Sequence, residues 1–191
     1  MIEELRESWQ REEVRSISRR YFISNGFDGT LTATGVAVGS FLSGVPDGLT
    51  VFKVGIGAGI GLATSGVWSV WEIEKAEKLA QLHALEDSMM EDLKNTEVHE
   101  KKKQGRIINS LSSGLGPVIG VLVPILPFLL ERGGLLTMLQ ATILSVALAV
   151  LLLGAFGAYM ARISRQKMLW AAARMGLAGL VVALLNIVLP G

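Results

Sequence analysis

Five apolar stretches, near residues 21–45, 49–71, 107–130, 135–161 and 168–189, constrain this chain more than any other feature. Each reaches or exceeds the roughly 20 residues that a helix needs to cross about 30 Å of hydrocarbon. Buried helices of a soluble bundle would need polar faces at a 3.6-residue period. The run from Ile143 to Tyr159 instead offers one hydroxyl, Ser145, before the tyrosine. Half of the residues are hydrophobic and only 18% are charged, below the usual share in soluble domains. The expected fold is therefore all-α, a polytopic membrane protein with five transmembrane helices.

Basic residues orient these helices. Arg6, Arg11, Arg15, Arg19 and Arg20 precede the first; Lys75, Lys78, Lys94, Lys101, Lys102, Lys103 and Arg106 lie between the second and third; Arg162, Arg165 and Lys167 lie before the fifth, with Arg174 in its first turns. Residues 44–50 contain none, and 131–134 only Arg132. The positive-inside rule then places the N-terminus in the cytoplasm and the C-terminus outside, as five crossings require. This is the expected layout of a multi-pass membrane protein.

Residues 1–20 are charged throughout, so no cleavable signal peptide is expected. Ile2, Leu5, Trp9, Val14 and Ile17 fall loosely on one face, which predicts an amphipathic helix on the inner membrane surface. The expected organisation is this helix at 1–20, helices one and two at 21–71, a cytoplasmic helical arm at 72–106 and helices three to five at 107–191. The arm follows from the absence of a helix breaker between Trp71 and about Asn95, so the second helix should extend into the cytoplasm. Within it Glu74 and Lys78 form a favourable i, i+4 pair, which predicts a solvated face.

Glycines allow close helix packing in lipid. Gly35 and Gly39 form such a pair in the first helix, Gly55, Gly57, Gly59 and Gly61 two interleaved pairs in the second, and Gly176 and Gly179 thin the fifth. The third holds Pro117, Pro124 and Pro127, which predict kinks or a break.

Asp28 is the chemically informative residue. It lies about eight residues into the first apolar stretch, roughly 12 Å below its start at 1.5 Å per residue. A charge near the bilayer centre costs about 2.5–3.5 kcal/mol, so its presence points to an ion, a proton or a partner side chain. Asn25, Asp28 and Thr32 recur at helical spacing on one face, and Ser65, Ser69 and Glu72 do so on the second helix. Two such oxygen-bearing stripes would make a path for a hard or borderline cation, with Glu72 at its cytoplasmic end. The hydroxyls could equally serve to join helices by hydrogen bonds.

On the arm, His83, Glu86 and Met90 fall on one face at i, i+3 and i+7, with Asp87 beside them. Imidazole, carboxylate and thioether suit Fe(II) or Mn(II) better than calcium. The candidate metal residues are thus Asp28, Glu72, His83, Glu86 and Met90. With no cysteine, thiolate metal sites and disulfides are excluded, and a net charge of +1 gives no reason to expect nucleic acid. No nucleophile and base pair marks an enzyme, and no tightly bound cofactor is expected.

The order of several motifs carries a resemblance. Asp28-Gly29 stands early in the first helix, Pro46-Asp47-Gly48-Leu49 forms the first turn, and Glu74 to Glu77 follows the second helix. Gly116-Pro117 to Pro127 lies in the third and Arg174 to Gly179 in the fifth. Over roughly residues 20–190 the chain resembles the vacuolar iron transporter family, in particular a short prokaryotic branch. The resemblance implies a homodimer in the lipid bilayer that exchanges cytosolic ferrous iron, or a similar divalent metal, for protons. It further implies that Asp28 lines a path between the subunits and that glutamates and methionines of the arm collect metal, the region of His83, Glu86, Met89, Met90 and Glu91. Where iron-transporting members often have a methionine and a glutamate in the second helix, this chain has Thr64, Ser65 and Gly66.

The expected function is export of Fe2+ or Mn2+ from the cytosol by proton antiport. The competing expectations are a membrane-anchored metal sensor or buffer, working through the arm, and a dimeric scaffold that transports nothing.

Overall fold

A long helix with few breakers is stabilised in lipid because every backbone N–H and C=O is satisfied internally. The computed structural model describes residue 9 and residues 11–89 and 97–188, and its regular elements are all helices. They are α1 (Glu12–Leu42), α2 (Gly48–Met89), α3 (Glu97–Ile125), the short α4 (Pro127–Arg132), α5 (Met138–Ser164) and α6 (Met168–Val188). Four stretches are long and apolar enough to cross a membrane: Gly48–Ala84, Gln104–Arg132, Met138–Ser164 and Met168–Val188. The 31-residue α1 is long enough, and its polar residues lower its hydropathy. It packs against α2, α3, α5 and α6, so it runs through the bundle with them. The chain is an all-α polytopic membrane protein.

The closest helix crossing is α1 on α3, and glycine makes it possible. A Cβ at Gly29 would lie 2.7 Å from Pro117 Cα, while Gly116 stands against the Phe22 carbonyl and Gly120 against that of Gly26. The expected Gly35 and Gly39 pair is not this contact. Both positions meet only the Asn186 side chain at 3.8 Å, ordinary van der Waals distance. On α2 the four glycines divide. Gly55 and Gly59 receive Ile125 and Val121, whereas Gly57 and Gly61 meet nothing within 4 Å among the described residues. Gly176 and Gly179 receive Val150 and Leu153 of α5.

Turns are short and chemically specified. Gly44 and Gly134 take positive φ after α1 and α4, where a side chain would be strained. Thr137 and Gln140 form a reciprocal capping box that starts α5. Asp47 caps α2 by accepting from the Thr50 N–H at 3.0 Å and hydroxyl at 2.7 Å. The carboxylate of Glu131 accepts from the Gly48 N–H at 2.7 Å, which ties α4 to the positive end of α2. Pro127, whose ring nitrogen carries no hydrogen, separates α3 from α4; Pro117 and Pro124 are absorbed within α3.

The opposite end gathers the basic segments. Lys78 Nζ pairs with Glu13 at 3.3 Å, Ser18 Oγ donates to Asn109 at 2.6 Å, and Arg106 stacks 4.0 Å over the Trp71 ring. Two expectations change here. No break separates residues 12–20 from the first span; they continue α1 because Val14 and Ser18 are buried against α3. Ile2 and Leu5 lie outside the described residues. Lys78 is drawn to Glu13 rather than to Glu74, because Glu74 turns inward and is only 1% exposed. At 42 residues α2 is roughly 63 Å long, about twice the hydrocarbon thickness, so it projects well beyond the membrane.

Candidate functional site

Asp28 sits near the middle of α1, whose small residues Gly26, Gly29 and Thr30 turn toward α3. That arrangement forces the opposite stripe outward. Ser24 and Asp28, one helical turn apart, are both exposed in the single chain. Thr32 uses its hydroxyl on the Asp28 carbonyl at 2.8 Å, leaving the carboxylate itself free of that bond. A bare carboxylate at this depth is costly in lipid, so something must cover it.

One face of α2 is also open. Gly57, Gly61, Thr64, Ser65, Trp68, Ser69 and Glu72 are all exposed, and the two glycines leave a groove along the helix. Ser69 Oγ makes a long 3.4 Å bond to the Gly66 carbonyl, and Glu72 meets Lys75 at 3.8 Å. Asn25 faces the other way. Its amide donates to Ser113 Oγ and to the Ser113 carbonyl at 3.3 Å, while the Ser113 hydroxyl donates to Gly66 O at 2.9 Å. Asn25 thereby joins α1, α3 and α2 at one point. Of the expected pathway residues, Asp28 is exposed on α1 and Ser65, Ser69 and Glu72 are exposed on α2, while Asn25 is taken up by Ser113 of α3.

On the arm His83 is exposed and Glu86 half-buried; Met90 and Glu91 lie outside the described residues. Among the described residues, no three histidine, aspartate or glutamate side chains gather into a group that could hold a metal.

A second polar feature escaped the sequence reading. Tyr21, Ser24, Glu74, Glu77, Arg20 and Met160 line a cleft of about 510 Å³ at the basic end. Tyr21 donates to Glu74 Oε1 at 3.4 Å, while Oε2 is buried without a hydrogen-bond partner among the described residues. The signal was present in the periodicity of α2. Val51, Gly55, Gly59, Gly66, Val70, Glu74 and Leu82 recur every seven or eight residues or at fours, and all are buried. Glu74 lies on the inward stripe, whereas its neighbour Glu72 lies on the outward one.

A bundle of long apolar helices is the architecture of a polytopic membrane protein. The VIT family profile matches residues 69–189, well over half of the chain, and the protein belongs to that family. Asp28 precedes the matched segment; Glu72, Glu74, His83 and Glu86 lie within it. An uncharacterized protein of the archaeon Methanocaldococcus jannaschii, MJ0645, is 26% identical over 169 residues, spanning 87% of this chain and 85% of its own length. No solved structure matches the chain.

Proposed function

We propose that this protein is a homodimeric divalent-metal transporter that carries Fe2+ or Mn2+ out of the cytosol in exchange for protons. Membership in the VIT family supports metal transport across a membrane. The observation that carries the finer reading is the exposure of Asp28 at membrane depth, together with an open α2 face on which Gly57 and Gly61 have no neighbour within 4 Å among the described residues. Two copies meeting through these faces would remove both carboxylates from lipid and place them across a shared polar path. The glycines would let the backbones approach closely. A carboxylate suits exchange because it binds either a proton or a cation, and two of them offset a divalent charge. The basic end of the bundle would face the cytoplasm, with Glu72 of each subunit at the inner mouth.

The test is Mn2+ uptake by proteoliposomes under an imposed pH gradient. Gradient-dependent uptake supports the reading. Mn2+ binding without uptake, lost when His83 and Glu86 are replaced by alanine, would favour a sensor or buffer; neither binding nor uptake would favour a scaffold.

A further inference from the structure

We infer that the cleft between α1, α2 and α5 is a divalent-cation site distinct from Asp28, with Glu74 as its principal ligand. A buried carboxylate oxygen ordinarily finds a hydrogen bond or a cation. Glu74 Oε2 has no hydrogen-bond partner among the described residues, although the residue is 1% exposed and lines an open cleft large enough for a hydrated ion. Its other oxygen has only the long bond from Tyr21, and Lys78, one turn away, is engaged with Glu13. Arg20 lines the same cleft and makes no ion pair with either glutamate among the described residues.

The donor set identifies the ligand class. Glu77 supplies a second carboxylate, Tyr21 and Ser24 supply hydroxyl oxygens, and Met160 supplies a thioether. Two carboxylates repel an anion and neutralise a divalent cation, and mixed oxygen and sulfur donors suit a borderline ion such as Mn2+ or Fe2+. The position links the cleft to the membrane interior. Ser24 lines it, and Asp28 is the next residue on the same exposed stripe of α1, roughly 6 Å further along the axis. As the place where a cation is received before it reaches Asp28, the cleft rests on the transport reading; as a binding site it does not.

Mn2+ binding to the full chain in lipid nanodiscs, followed by electron paramagnetic resonance together with the thermal shift that Mn2+ induces, tests the assignment. Glu74→Gln keeps the shape, removes the charge and should lose this binding class and its thermal shift, while the metal-free protein melts no lower than wild type. Tyr21→Phe should weaken binding about tenfold, as loss of an orienting partner does. Asp28→Asn should leave the site intact. Unchanged Mn2+ binding in Glu74→Gln would overturn the proposal, even if Asp28→Asn abolished transport. Should Glu74→Gln fold poorly, the exposed Glu77→Gln gives the same decision: weakened binding supports the site and wild-type binding opposes it. Binding that behaves as stated in a protein without transport would uphold the site and remove only its role as the inner mouth.

Discussion

Single side chains in this molecule divide between those that hold helices and those left open to a ligand. Asp47 belongs to the first kind. The Thr50 hydroxyl, and after it the Thr50 N–H, hold its carboxyl below the ordinary value of 3.8. A depressed carboxyl contributes stability that is complete above its unfolded value and disappears as pH falls through the lower folded one. Asp47→Ala should therefore lower the melting temperature at neutral pH, and the gap to wild type should close as pH drops below 3.8. Ser113→Ala, which cuts the link from Asn25 to Gly66, should cost about 1 kcal/mol in equilibrium unfolding, within the range of intramembrane hydrogen bonds. Asp28 was legible in the sequence because a charge in an apolar run needs no structure to stand out. Glu74 was not, because it sits among Glu72, Lys75, Glu77 and Lys78, where charge reads as solvent exposure; the helical period of α2 overrides that reading.

At the level of helices, hydropathy located the spans and the lack of breakers after Trp71 anticipated the length of α2. Polarity changes near residue 20 while the helix does not, its charged turns being docked along α3 through Val14 and Ser18. Glycine spacing named candidates for close packing without naming partners, since GxxxG is satisfied equally by a neighbour in the same chain and by one outside it. The structure separates the cases. Gly29→Ala drives a methyl into the Pro117 backbone and should destabilise the fold by about 1–3 kcal/mol, measured by unfolding in detergent. Gly57→Ala meets open space and should be neutral or slightly stabilising in the isolated chain, by up to about 1 kcal/mol from helix propensity.

For the molecule as a whole, the uncovered stripe of α1 and α2 is the part that one sequence could not resolve, because burial by a second copy leaves the same pattern as burial within the chain. If two copies pair as proposed, Gly61→Leu fills the groove and should shift that dimer toward monomer by light scattering in detergent while its helix content is kept; an unchanged dimer would place the interface elsewhere. The central claim is that Asp28 exchanges a proton for a metal ion. Its most direct test records Mn2+ entry and internal pH together in proteoliposomes holding either wild type or Asp28→Asn. The account predicts Mn2+ entry matched by proton exit in the wild type, with both lost in the variant. Mn2+ entry at the wild-type rate in Asp28→Asn, or entry without any proton movement in the wild type, would contradict it.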